Sequence, residues 1–311
     1  MGARACWILL AGLLASPAFA AAQPLAVSEV APGVFVHFGA VADWAPGNRG
    51  DVANLGFIVG SRCVAVIDTG GTPEVGAGLR AAVLRATKLP VCYVINTHAH
   101  PDHILGNVAF AEPDSTVSPR FVASAKFSAG MAGRERSYLN ALERDFGIKL
   151  SHTDIKYPSL TVEREIDLDL GDRVLALQAW PTAHTDHDLT VYDRKTRTLL
   201  LSDLLFVQHM PVVDGSLRGW LAVMADLKRI DVALAIPGHG PASTDWPGVM
   251  APQEAYLNAL LRETRAAIKA RLTIGQAVAQ VGTEAASHWS LAEQFHRRNV
   301  TTAYAELEWE E

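Results

Sequence analysis

One heptapeptide constrains this chain more than any other feature. Thr97-His98-Ala99-His100-Pro101-Asp102-His103 follows the apolar run Val91-Cys92-Tyr93-Val94-Ile95, which reads as a buried strand. Three imidazoles and a carboxylate packed this closely would be left unpaired when buried unless something holds them together. Neutral imidazole and carboxylate are ligands for Zn²⁺ and neighbouring divalent ions, so the run reads as a metal site. Alternating histidines leaving a strand reach one ion together, and the Asp-His pair after them points at a second. A chain with this loop needs a sheet whose strand ends present side chains to a cleft.

The rest of the chain supplies such a sheet. Gly33-Val34-Phe35-Val36-His37-Phe38, Leu55-Gly56-Phe57-Ile58-Val59 and Val174-Leu175-Ala176-Leu177 read as strands bounded by glycine or proline. Stretches 74–88, 120–146 and 219–229 have helical composition. From about residue 248 the pattern is helical only, with capping-box spacing in Thr273-Ile274-Gly275-Gln276 and Ser290-Leu291-Ala292-Glu293. At 311 residues and 49% hydrophobic content the chain can bury a full core. That favours one large domain, or a domain with an appended helical tail, over two equal domains. Charged residues, at 19%, are too few for a disordered chain, and a net charge of −6 gives no reason to expect nucleic-acid binding.

The first 22 residues read as a secretory leader. Arg4 precedes the apolar run Cys6–Ala15, and Ala18-Phe19-Ala20 or Ala20-Ala21-Ala22 supplies a small-residue cleavage site. The run is too short for a spanning helix, which needs about 20 apolar residues, so no stable membrane span is expected after cleavage. Losing Arg4 leaves 26 cations against 33 acids, a net −7. Export would put the protein in a bacterial periplasm or outside the cell. Cys63 and Cys92 then remain, each opening a predicted parallel strand; they read as buried small hydrophobes, able to form a disulfide only if their strands are neighbours.

His-x-His-x-Asp-His after a strand resembles the signature of the metallo-β-lactamase-fold hydrolases, and the remaining parts of that pattern follow in order over about residues 30–240. Val64-Ala65-Val66-Ile67-Asp68-Thr69-Gly70 is similar to the strand whose Asp-Thr-Gly end lies beside the metal loop. His184 in Pro181-Thr182-Ala183-His184-Thr185 stands where a third first-site histidine belongs. Asp203, ending Leu199-Leu200-Leu201-Ser202-Asp203, matches the bridging carboxylate, and His239 in Ile236-Pro237-Gly238-His239-Gly240 matches the last ligand.

The resemblance implies an α/β (α+β) fold, a four-layer αββα sandwich with a C-terminal helical extension. It divides the chain into a leader at 1–22, the fold domain at 23–247 and a helical extension at 248–311 packed on that domain. It implies two Zn²⁺ per chain, with iron as the other candidate: one ion on His98, His100 and His184, one on Asp102, His103 and His239, and Asp203 between them. Asp102 and Asp203 would be the catalytic carboxylates, holding a bridging hydroxide whose parent water has its pKa lowered to about 7.

The pattern departs at Thr185-Asp186-His187-Asp188, which replaces a small or glycine-rich turn and leaves His187 as a spare imidazole near the site. Asp186 or Asp188 is placed to orient a ligating histidine there. Asp68, His187, His209 and Arg218 are the candidates for substrate contact or for support of the ligands. Arg218 has either a substrate carboxylate or Asp214 as its partner. The polar loop Asn48–Asn54 is expected to border the cleft, and His37, His152 and His296 have no ligand-like context.

Within the family, Asn48-Arg49-Gly50-Asp51, Gly56-Phe57-Ile58-Val59, Pro211–Ser216 and the tail Arg297-Arg298-Asn299-Val300-Thr301-Thr302-Ala303-Tyr304-Ala305-Glu306-Leu307-Glu308 are similar to the sulfur-oxidation-H-like proteins, also called quinoprotein relay system zinc metallohydrolases. That subgroup implies a link to periplasmic quinoprotein dehydrogenases or their cytochromes. The activity expected is hydrolysis of an ester, thioester, amide or lactam bond in a small-molecule substrate. The alternatives are a β-lactamase, which the resemblance says lacks the aspartate at position 203; a persulfide dioxygenase with one iron; and a non-catalytic module for a quinone-type ligand.

Overall fold

The computed structural model describes residues 22–111 and 118–310. All but the last residue of the leader read at 1–22 lies outside them. Alternation of side chains along two strands shows how the layers are built. In β3 (Leu55–Val59) and β4 (Val64–Ile67), Leu55, Phe57, Val64 and Val66 point to one face of the sheet, and Ile58, Ala65 and Ile67 to the other. Both faces are apolar, so the sheet must be covered twice.

The first sheet runs in chain order: β1 (Ser28–Ala31), β2 (Val34–His37), β3, β4, β5 (Val91–Ile95), β6 (Arg120–Ser124) and β7 (Leu160–Val162). It is antiparallel up to β4 and parallel from β4 to β7. The second comprises β8 (Glu165–Asp169), β9 (Val174–Ala179), β10 (Leu189–Asp193), β11 (Thr198–Phe206) and β12 (Leu234–His239), in the order β12-β11-β10-β9-β8, with β11 and β12 parallel. One core joins the sheets face to face, with Ile58, Ala65, Ile67 and Val122 against Leu175, Leu177, Val191, Leu200 and Ile236.

Helices cover the two outer faces. On the first sheet lies α1 (Pro73–Ala86), started by Thr72, whose Oγ1 accepts from Val75 N, and by Pro73 in the first turn. Its Val75, Leu79, Ala82 and Val83 pack on Phe57, Val64, Val66 and Val94. The metal loop continues into α2 (Pro101–Ile104). α3 (Phe127–Ala132) and α4 (Glu135–Phe146) then close a small apolar cluster around Ala99, Ile104 and Leu105.

On the second sheet lie α5 (Leu217–Leu227), α6 (Ala251–Lys269), α7 (Ile274–Val278), α8 (Thr283–Ala286) and α9 (Ala292–Leu307). Trp220, Met224, Tyr256, Leu257, Leu260, Val300 and Ala303 share one core with Leu199, Leu201 and Ala235 of the sheet. The four-layer sandwich with a helical C-terminal region is therefore as expected. Among the described residues no helix is long and apolar enough to cross a membrane.

Two local expectations fail. The helical composition of 120–146 hides β6, because Phe121, Val122 and Ala123 are buried and paired beside β5, and sheet pairing overrides propensity there. The Thr273 capping box forms, but Ser290 does not cap α9: its backbone bonds to Gln208 and Met210 instead, tying the helix start to the segment after β11.

Cys63 and Cys92 are joined as a disulfide, Cα to Cα 5.8 Å, across the neighbouring starts of β4 and β5. The bridge spans 29 residues, and a loop of that length restricts the unfolded chain by roughly 3–4 kcal/mol. Reduction, or Cys92→Ala, is expected to lower unfolding stability by about that amount in a denaturant titration; an unchanged midpoint would refute it.

Candidate metal centre

The ligand-type residues converge because strand ends from both sheets meet at one edge. The loop after β5 brings His98 and His100, and α2 brings Asp102 and His103; the loop between β9 and β10 brings His184; β11 brings Asp203; and β12 ends on His239. Among the described residues, two groups have ligand atoms within 4.8 Å of one another: His98, His100, His184 and Asp203, and Asp102, His103 and His239. Asp203 joins them. Its Oδ2 lies 3.7 Å from His98 Nε2 and 3.4 Å from His184 Nε2, and its Oδ1 lies 3.2 Å from His103 Nε2 and 3.5 Å from His239 Nε2. Asp102 Oδ2 is 3.6 Å from His103 Nε2 and 3.4 Å from His239 Nε2.

Each imidazole is fixed by its other ring nitrogen. His184 Nδ1 donates to Val212 O at 2.7 Å and His239 Nδ1 to Val52 O at 2.9 Å. His103 Nδ1 donates to Asp68 Oδ2 at 2.8 Å and His100 Nε2 to Asp214 Oδ2 at 3.0 Å. Thr97 Oγ1 bonds His98 Nδ1 at 3.1 Å. A nitrogen donating to a carbonyl or carboxylate carries the proton, so the opposite nitrogen of a neutral ring turns a lone pair to the centre. His184 Nε2 and His100 Nδ1 face each other at 3.1 Å, while His98 Nε2, His103 Nε2 and Asp203 Oδ1 are buried without a hydrogen-bond partner. Lone pairs and carboxylate oxygens converging on one buried volume fit cations between them.

The electrostatics divide the histidines into two pairs. Burial and the neighbouring His103 push the His98 imidazole well below its ordinary value, and burial lowers His184. Burial also works against the charged forms of His103 and His239, but Asp203 and Asp102 outweigh it and raise both. Asp203 is itself held well below the usual carboxylate range: burial opposes this, but His103, His239 and His98 prevail. An apolar casing completes the site. Phe206 stacks on His239 with centroids 5.2 Å apart, and the Trp220 ring lies 5.4 Å from that of His184.

The other candidates separate. Asp68, buried at a φ of 54°, accepts from Thr97 N, Thr97 Oγ1 and His103 Nδ1, so it orients the metal loop. His209 lines the cavity above the centre, its ring centroid 4.7 Å from that of His239; burial lowers its pKa to about 4. His187 is buried against Gly130 and bonded to Thr185 Oγ1 at 2.6 Å, outside the cavity lining.

Asp186 and Asp188 orient no ligand: Asp188 accepts from Thr185 N and Oγ1, and the Val212 carbonyl holds His184 instead. Arg218 pairs with Glu310 at 2.9 Å rather than with Asp214, and it is not among the residues that line the cavity. Asp214 is engaged by His100, Arg134 and Arg298. The polar loop does border the cleft, through Val52. His37, given no role from sequence, clasps that loop: Nδ1 donates to Ala26 O and Nε2 to Asp51 Oδ1, both at 2.7 Å.

His37 gives a pH dependence. Burial lowers its pKa, but the Asp51 and Ala26 bonds outweigh this and the net shift is upward. A raised imidazole contributes stability that is complete below its unfolded value near 6.5 and lost as pH rises through the folded value. Asp51→Asn should therefore lower the melting temperature more at pH 5.5 than at pH 8.5. Equal losses at both would sink the argument.

A sequence model of the metallo-beta-lactamase superfamily matches residues 48–239, well over half of the chain. The chain belongs to the metallo-β-lactamase superfamily. Solved structures agree on the fold. A metallo-beta-lactamase from Pontibacter korlensis superposes with a TM-score of 0.60 at 18% identity, covering 75% of this chain and 99% of that one. One from Hirschia baltica gives 0.57 at 16%, covering 76% and 98%. The stereoselective inverting sec-alkylsulfatase Pisa1 from Pseudomonas sp. gives 0.66 at 16%, covering 92% of this chain, which spans about half of that one. No curated protein matches the chain. In this superfamily member, His and Asp groups at the sheet edge are positioned so that they could hold metal.

Proposed function

We propose that the chain is an exported dinuclear zinc hydrolase that cleaves an ester, thioester, amide or lactam bond in a small molecule. The observation that carries this reading is the division of Asp203, one oxygen toward His98 and His184 and the other toward His103 and His239. One metal would sit on His98, His100 and His184, the other on Asp102, His103 and His239. Bound there, the ions would make a water acidic enough to attack at neutral pH and polarise the bond under attack.

The chain's own groups supply the rest. Asp102, Asp203 and His209 line a cavity of about 260 Å³ over the centre. Asp102 and Asp203 are the carboxylates that would hold and orient the attacking water between the two groups. His209 Nδ1 donates to Met210 O at 2.7 Å, so its neutral ring turns the Nε2 lone pair to the cavity, where it accepts a hydrogen bond from the substrate. Phe206, Val212 and Phe295 line the same space and limit its water.

Export is supported by the leader-like N-terminus and by the Cys63–Cys92 bridge, which persists in oxidising compartments. The link to quinoprotein dehydrogenases rests on the subgroup resemblance alone. Elemental analysis of the purified mature protein tests the core reading: two zincs per chain are expected. One iron would move the assignment to a persulfide dioxygenase, and no metal to a binding module.

A further inference from the structure

A second charged group overlooks the metal groups and is not used by the chemistry above. Arg134, between α3 and α4, and Arg298, on α9, line the same cavity as His100 and Asp102. Both reach Asp214: Arg134 Nη1 to Oδ2 at 2.6 Å, and Arg298 Nη2 to Oδ1. Their side chains remain 37% and 49% exposed. A guanidinium has five N–H donors, so each arginine keeps donors beyond its Asp214 contact, and two cations share one carboxylate that also accepts from His100. Beside them Tyr138 lines the cavity, its buried Oη next to the Arg134 guanidinium and its own O–H without an acceptor. Burial pushes this phenol up to about 12, so it stays a donor at neutral pH. The acids lining the cavity are Asp43, Asp102 and Asp203, of which the last two belong to the metal groups.

We propose that Arg134, Arg298 and Tyr138 Oη form a subsite for a carboxylate borne by the substrate, placed away from the bond that is cleaved. Planar guanidinium donors on two sides and a hydroxyl donor fit the lone pairs of a carboxylate, and the wall lies on the first-site side, next to His100. Asp214 thereby has two jobs, orienting His100 below and spacing the arginines above. This deepens the hydrolase reading and rests on it only for the identity of the cavity as the substrate site. It joins the helical extension to specificity, because one of the two cations comes from α9.

The test compares 4-acetoxybenzoate with its methyl ester, which differ in one charge, on the zinc-loaded wild type, Arg134→Gln and Arg298→Gln. The wild type should favour the anion at least tenfold in kcat/KM, and each substitution should erase most of that ratio through KM while zinc content stays at the wild-type level. Calorimetric binding of 4-hydroxybenzoate against methyl 4-hydroxybenzoate reads the subsite without turnover. If neither ester is cleaved but 4-hydroxybenzoate binds the wild type and not the variants, the subsite stands and the esterase reading falls. An unchanged anion preference and unchanged binding in both variants would overturn the subsite. So would loss of preference together with loss of zinc, which would make the arginines mere supports for Asp214 and His100.

Discussion

Asp203→Asn is expected to abolish most activity while leaving the fold intact. The amide fills the same space but loses the charge that faces His98 and His184 through one oxygen and His103 and His239 through the other. Two dications held close together need shared negative charge between them, and an amide supplies none. The second site, left with Asp102, His103 and His239, should lose its zinc first, because the other keeps three histidines. Zinc titration against a chelator should then show about one metal per chain. Activity should fall on the order of 10³-fold, equivalent to about 4 kcal/mol of transition-state stabilisation. Equal loss from both sites, or loss from neither, would reduce Asp203 to a structural strand end and promote the β-lactamase alternative.

Gly238→Ala should be nearly as damaging, though it removes no ligand-type side chain. A Cβ at Gly238 would lie 1.9 Å from Asp203 Oδ1 and 2.7 Å from the carbonyl carbon of Ser202. The crowding has no cheap escape. β11 and β12 run parallel with Ser202 opposite Pro237, and Gly238 O accepts from Asn54 N at 2.7 Å. Overpacking of this kind costs about 1–3 kcal/mol of stability, and displacing a catalytic carboxylate by about 1 Å costs on the order of 10²-fold in rate. Gly275→Ala is the control, since a Cβ there meets nothing within 4 Å. Wild-type activity in Gly238→Ala would mean that the strands part easily and that the close approach has no role.

The seven clustered residues were legible because local chemistry and chain order agree: six lie at a strand end or in the segment just after one, Asp203 lies in the second half of β11, and alternation in β3, β4 and β11 dictates two buried sheet faces. What holds the imidazoles was less legible. Asp68 could be suspected from its place after a strand, but Val52 and Val212 act through backbone carbonyls, which leave no residue signature. Sequence proximity offers Asp214 to Arg218, four residues on, as one of two candidate partners, whereas its partners are His100, Arg134 and Arg298, up to 114 positions away. Arg134 and Tyr138 lie in a stretch whose composition says helix and nothing about which face meets a cavity. Arg298 and Asn299 stood in the tail that carried the subgroup resemblance, yet only tertiary packing shows what they reach.

The grip of α9 on the 211–218 segment also sets an order of events during synthesis. Asn299 Oδ1 accepts from Val213 N and its Nδ2 donates to Pro211 O, while Glu306 accepts from Ser216 Oγ and from the backbone of Leu217 and Arg218. His239 is translated more than fifty residues before these groups emerge. A nascent chain can therefore hold every residue of the two metal groups while the segment that seats Asp214 against His100 still lacks its anchor. Truncation before α9 should therefore free the segment that holds Asp214 against His100 without removing any residue of the two metal groups.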